Sequence, residues 1–336
     1  MFENLPLSPP IEPMEATSVK AIPRGDHWLY EPKWDGFRCI AFRDGREIAL
    51  QSKSGQPLAR YFPEIVASLL ELKAHQFILD GELIIESGDH LDFDALLQRI
   101  HPAESRVRKL SMETPARYAI FDALALPSAP RLFESALSER RSQLDRFSSS
   151  MLEGQSRFEL SPATPDFAAA EVWLGAGTAR YDGVIAKRAD ASYRFGERDA
   201  VMKVKRVYTA DCVVGGFRLA KDNKTIASLL LGLYDDAGLL HLVGFVGSMS
   251  AAERMRAAEL LKPIVAEPGF TGARPGGPSR WGPTRAEWFP VSPKVVVEVQ
   301  YDHVTGARFR HGARLRRWRP DKAPAQCTMD QMLHPR

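Results

Sequence analysis

A chain of 336 residues, 44% hydrophobic and 26% charged, has room for two globular domains and excludes a disordered or fibrous protein. No run of about 18 uncharged apolar residues exists, because the longest apolar stretch, 226–246, is cut by Asp235 and Asp236; this excludes a membrane-spanning helix. The net charge of +3 says little alone, but residues 301–322 carry seven Lys or Arg against two Asp, an electrostatic footprint for phosphates. The N-terminus holds acids and prolines and no basic-then-apolar leader, and Cys39, Cys212 and Cys327 form no CxxC pair. The expectation is a cytoplasmic protein with neither a zinc ribbon nor a disulfide framework.

In chain order, residues 1–26 read as an extended Pro-rich lead-in. Short strands follow in HWLYEPKWDG, FRCIAFRDG and EIALQSKSG, each closed by a DG or SG turn signal. Pro63 starts a helix over 61–72. FILDGELIIES reads as a strand pair around Asp80-Gly81, 92–100 as a second helix, and RYAIFDALAL as a buried strand. Residues 132–146 read as a charged amphipathic helix and 167–175 as an apolar one; DGVIAKR and DAVMKVKR return to strand. The character changes around 206–209. Three β-rich runs, one helix over 251–261, a loop over 267–294 with six Pro and five Gly, and the strand KVVVEVQYDHV follow. Five strands with an interrupting helix suit an OB-fold. The expected architecture is α+β, with a mixed-sheet domain over 1–206 and an OB-type β-barrel over 207–336.

The segment Glu31-Pro32-Lys33-Trp34-Asp35-Gly36-Phe37-Arg38 reads ExKxDGxR. It gathers a Lys, a carboxylate, a turn glycine and an Arg within six residues. A neutral lysine amine can attack phosphorus and form a covalent phosphoramidate, but it must first lose its proton from a reference pKa of about 10.4. Nearby cations favour that loss. Candidate cations are Lys187 in DGVIAKR and the pair Lys203 and Lys205, which alternation places on one strand face. Taken singly, each of these is an ordinary surface lysine. Converging, they stabilise charge on a transferred phosphoryl group. Glu82 offers a carboxylate for a sugar hydroxyl or Mg²⁺, and Phe121 an aromatic face for a purine.

In order, KWDGFR, SKSG, LDGEL, YAIFDAL, DGVIAKR, MKVKR and the basic RWRPDK resemble the covalent nucleotidyltransferase superfamily of polynucleotide ligases and capping enzymes. The resemblance covers about 10–333 and is strongest to stand-alone bacterial ATP-dependent DNA ligases, the ligase C and ligase-D-like group. It implies an adenylation domain followed by an OB-fold, and sealing of 5′-phosphate/3′-hydroxyl nicks in duplex DNA through lysyl-AMP and DNA-adenylate. It implies ATP and Mg²⁺ as cofactors. It makes Lys33 the lysine that takes AMP, Glu31 the reader of the adenine amine, and Arg38 and Glu82 ribose and metal contacts. Phe121 would stack on adenine with Ile185 opposite, and Lys187, Lys203 and Lys205 would contact phosphate. Asp321 and Lys322 would orient pyrophosphate in the first step. Asp182 stands where the family usually has Glu, so a metal there is held directly or through water. Lys53 replaces a usual Arg and loses its bidentate fork.

Candidate DNA-phosphate contacts are Lys53, Arg99, Arg308, Arg310, Arg314, Arg316 and Arg317, with salt-sensitive, sequence-blind binding. Trp281 and Trp288 lie in the Pro/Gly-rich loop, as candidate DNA contacts or as decoration of the barrel. Residues 206–209 are the expected hinge for a rotating OB domain. The partners expected are nicked duplex DNA and repair proteins, with no membrane; a monomer acting at the nucleoid is the default. An RNA ligase, a capping guanylyltransferase, and a non-catalytic DNA-binding module of ligase-like fold are the competing readings. An NAD-dependent ligase would bring a four-cysteine zinc module that is missing here.

Overall fold

Phe37–Asp44 is apolar on both faces, and its alternation shows why. Cys39 and Ala41 join one buried cluster with Phe62, Ile65 and Leu69, while Ile40 and Phe42 join another with Ile78, Leu124 and Tyr193. This strand sits inside a five-stranded sheet ordered Glu47–Ser52, Phe37–Asp44, Gln76–Ile84, Arg117–Ala125 and Phe158–Leu160, antiparallel except for the last pair. A second sheet runs Thr17–Ser18, Val201–Lys205, Gly183–Arg188, Trp28–Pro32. In this computed structural model the chain divides into two units, Met1–Arg206 and Val207–Arg336, and the structure describes residues 2–88, 90–175, 180–276 and 287–333. Both sheets belong to the first unit.

The helix begun by Pro63 is Pro63–Glu71. It has no basic residue in its last turn, and Arg43 supplies one from the neighbouring strand: the buried guanidinium donates to the carbonyls of Leu69, Leu70 (3.0 Å) and Leu72 (2.8 Å). Two expectations need correction. LDGEL is not a hairpin turn: Gln76–Ile84 runs straight through Asp80-Gly81. Glycine is there for clearance, since a Cβ on Gly81 would lie 2.5 Å from the Tyr118 ring and from the Ala119 carbonyl. The helix placed over 132–146 begins only at Leu137; Leu132–Glu134 is a 3₁₀ turn, and Ser135 at its end is extended. The helix Glu104–Glu113, which presents only Val107 to the core, has too weak an apolar face to be read from sequence.

In the second unit, the strands Ile226–Tyr234, Leu240–Ser248, Ala313–Trp318, Val296–Tyr301 and Tyr208–Leu219 follow one another in one sheet, and the last pairs back to the first. The result is a closed five-stranded barrel, with the helix Ala251–Leu261 between its third and fourth strands in sequence, which is the OB arrangement. Ser250 and Glu253 form a capping box at the start of that helix. Trp288 packs on the barrel, its ring centroid 5.7 Å from that of Phe270. Trp281 lies outside the described residues. No helix among the described residues is long and apolar enough to cross a membrane.

Candidate active site

Strand register assembles the cleft of the first unit. Ile185 pairs with Glu31 on one side and Lys203 on the other, so these three form a row across the sheet; Lys187, two residues on, faces the same way opposite Val201. Lys33 follows the end of Trp28–Pro32. Its N–H donates to the Gly183 carbonyl at 2.9 Å and its carbonyl accepts from Asp182 at 2.8 Å. Glu82, Phe121 and Arg38 come from the five-stranded sheet and line the same cleft.

The charges there differ from the expectation of a lysine surrounded by cations. The Lys33 ammonium pairs directly with the buried Asp182 carboxylate. Burial works to lower its pKa, but Asp182, then Glu82 and Asp35, outweigh that, and Lys33 is held above the ordinary lysine value. Glu82 is pushed up to about 7 by burial, against the pull of Lys33 and Arg38. The depressed lysine is Lys203, lowered by burial and then by Lys53, Lys205 and Lys33. Cations do converge on the cleft, but the group in contact with Lys33 is a carboxylate.

Glu31 and Lys187 form a buried pair, Oε2 to Nζ at 2.7 Å. The other Glu31 oxygen, Oε1, is buried with no hydrogen-bond partner among the described residues. Burial, opposed by Lys187, raises the Glu31 pKa. The half-buried Phe121 ring lies 4.4 Å from Lys187 Nζ and 4.9 Å from the Arg38 guanidinium, centroid to cation. Arg38 is fixed by a residue the sequence reading treats as a turn: Asp80 accepts from its Nε at 2.7 Å and its Nη2 at 2.6 Å, and from the Tyr193 hydroxyl at 2.6 Å. Asp122, next to Phe121, is likewise held by both forks of the buried Arg140 at 2.8 Å. Alternation with Glu82 is the one signal in the sequence that could have found Asp80; none points to Tyr193 or Arg140.

Lys53 lies at the cleft, paired with Glu15 at 3.3 Å. Lys205 ends the strand that carries Lys203, opposite Gly183, and is not among the residues lining the cleft. Arg99 does not belong with the DNA contacts. Its side chain is 0% exposed and donates to Glu64 Oε2 and to the Tyr61 carbonyl, both at 2.8 Å, against the Phe62 ring. It ties the helix Phe93–Arg99 to the start of Pro63–Glu71, a tertiary role that a last-turn arginine does not announce.

The remaining candidates belong to the second unit. Arg319 grips Asp321 with Nε (3.0 Å) and Nη2 (2.8 Å) and reaches Asp211 with Nη1 at 2.8 Å, while Lys322 Nζ lies 3.1 Å from the same Asp211. Hydrogen bonding from Arg319 holds Asp321 down at about 2. Arg308, Arg314 and Arg316 are exposed, Arg310 is half-buried, and Arg317 pairs with Glu298 at 2.7 Å.

The first unit matches the family described as "ATP dependent DNA ligase domain" over residues 13–205, and the second matches "ATP dependent DNA ligase C terminal region" over 222–322. The chain is 43% identical to DNA ligase C of Mycobacterium tuberculosis, over 99% of this chain and 96% of that one. It is 29% identical to the "Multifunctional non-homologous end joining DNA repair protein LigD" of the same species, over 97% of this chain and 40% of that longer protein. Among solved structures, a Lig E DNA ligase shares the fold at a TM-score of 0.52 and 18% identity, over 91% of this chain and 99% of that one.

Proposed function

The chain belongs to the family of ATP-dependent DNA ligases, and from that premise we propose that Lys33 is the residue that carries AMP to a nicked duplex. The observation that carries this reading is the Lys33 ammonium in direct contact with Asp182, inside a cleft whose other groups suit a nucleotide. In the first step Lys33 Nζ attacks the α-phosphorus of ATP. A nitrogen–phosphorus bond forms, the bond to the bridging oxygen breaks, and pyrophosphate leaves. The proton shed by the amine passes to Asp182 Oδ2, its partner in the ion pair. In the second step a 5′-phosphate oxygen displaces Lys33 and takes AMP. In the third the 3′-hydroxyl attacks the phosphorus of the DNA 5′-phosphate; a phosphodiester forms, the bond to AMP breaks and AMP leaves, the hydroxyl proton passing to solvent.

Each remaining group has a part in holding the reactants, and holding is most of catalysis in phosphoryl transfer. Phe121 and Ile185 flank the base, and Glu31 Oε1, a buried acceptor awaiting a donor, takes the adenine amine. Arg38, whose Nε and Nη2 are taken by Asp80, keeps Nη1 for the ribose. Lys187, Lys203 and Lys205 offset phosphate charge, as Lys53 and the arginines of 308–317 do for DNA. Glu82 and Asp182, two carboxylates acting on one ammonium with Asp35, are the hard oxygen donors Mg²⁺ takes; bound there it would offset charge at the reacting phosphorus. From their place in the basic C-terminal motif, Asp321 and Lys322 act on the departing pyrophosphate. The likeness to an end-joining repair protein supports a role in DNA repair.

Incubation with α-labelled ATP and mapping of the labelled peptide tests the reading. The expected adenylate sits on the peptide bearing Lys33 and is absent from Lys33→Ala. An adenylate on another lysine overturns it.

A further inference from the structure

One acid intrudes among the cations of the cleft. The segment before the first long strand lies along the edge of the second sheet, where Thr17–Ser18 pairs in parallel with Met202 and Lys203. Glu15 N–H donates to the Glu197 carbonyl at 2.8 Å, and Thr17 Oγ1 to the Arg198 carbonyl at 2.9 Å. The Glu15 side chain, 22% exposed and so fixed at its base, spans two cations: Lys53 Nζ at 3.3 Å and Arg198 Nη2 at 2.7 Å. Burial works to raise the Glu15 pKa, but Lys53, then Arg198 and Lys203, hold it below the usual carboxylate range, so it is ionised at neutral pH. Glu15, Lys53 and Lys203 line the same cleft as Lys33.

A carboxylate seated between two cations stands in for a phosphate, with a charge of −1. An internal phosphodiester of DNA also brings one negative charge. A terminal 5′-phosphate monoester brings about −1.5 to −2 at neutral pH. A diester therefore offers Lys53 and Arg198 no more charge than the carboxylate it must displace, and a terminal phosphate offers more. We propose that Glu15 is a specificity-determining residue: it reserves Lys53 and Arg198 for the 5′-terminal phosphate of a nick and screens them from continuous backbone. This rests on the reading of Lys53 as a DNA-phosphate contact.

Equilibrium binding of the full chain to three duplexes tests it: a nick with a 5′-phosphate, the same nick with a 5′-hydroxyl, and an intact duplex. Glu15→Gln should tighten on the hydroxyl nick and the intact duplex by about two- to fivefold, the scale of an accessible ion pair, and gain less on the phosphorylated nick. Its preference for the phosphate then falls. Glu15→Asp, which keeps the charge, should keep the wild-type preference, and Lys53→Ala should lose it. A Glu15→Gln chain that tightens equally on all three, or on none, overturns the proposal, as does a Lys53→Ala chain that still prefers the phosphate. These ratios need no nucleotide, so a failure of the Lys33 reading would show separately, as wild-type protein that takes no label from ATP.

Discussion

Lys33 is held as an ammonium by Asp182, the group proposed to take its proton. A neighbouring carboxylate favours the charged amine, so Asp182 raises the pH at which the nucleophile is free. In Asp182→Asn that influence is gone, and the rise of single-turnover adenylation with pH should move to lower pH even as its plateau falls; a profile that keeps its wild-type midpoint contradicts the pairing. Glu82 makes the converse case. Its folded-state pKa of about 7 lies above the ordinary glutamate value of 4.5, so its protonated form stabilises the fold at low pH and that stability is lost as pH rises from about 4.5 through about 7. Glu82→Gln should raise the melting temperature by a few degrees above pH 7, and by little below pH 4.5, while suppressing adenylation. Equal gains at both ends of the range would mean that Glu82 is not the strained carboxylate.

At the scale of elements, the strands brought together what a linear reading could only collect. KxK was legible because period-two alternation places its side chains on one face before any register is known, and ExKxDGxR because a Lys, a carboxylate, a turn glycine and an Arg crowd within six residues. The register then aligned Glu31, Ile185 and Lys203 in a row. The barrel was legible too, from β-rich runs and turn signals. What alternation could not supply is which charges meet across long sequence separations. Asp80 looked like a turn residue because DG usually is one, and the strand Gln76–Ile84 that runs through it, with Tyr118 packed against Gly81, shows otherwise. Arg99 looked like a phosphate contact because its partners, Glu64 and the Tyr61 carbonyl, lie more than thirty residues away. Arg99→Met leaves Glu64 without its cation inside the fold, a change that costs about 3 kcal/mol or more. Chemical unfolding should show that loss, and DNA affinity of the folded fraction should stay at the wild-type value. Weakened DNA binding with unchanged stability would restore the discarded role.

Across the whole molecule, the residues with proposed roles fall in both units. The first holds Lys33 and its cleft, and the second holds Asp321 and Lys322, tied to Asp211 and Arg319. If the second pair serves pyrophosphate departure, Lys322→Ala should slow adenylation from ATP by at least about tenfold, the scale of one lost charge contact in a transition state, yet seal a nick that already bears AMP. Equal loss in both assays would assign Lys322 to DNA instead. The basic stretch 301–322 predicts DNA affinity that falls steeply with salt and ignores sequence. Whether one lysine links ATP to the nick is read by a pulse-chase. The protein is pulsed with α-labelled ATP and Mg²⁺, then chased with excess unlabelled ATP and a 5′-phosphorylated nicked duplex. Label is expected on denatured wild type and not on Lys33→Ala, and it should pass into DNA-adenylate and then free AMP as the nick closes. Label that forms on Lys33→Ala, or that stays on the protein while nicks are sealed, would contradict it.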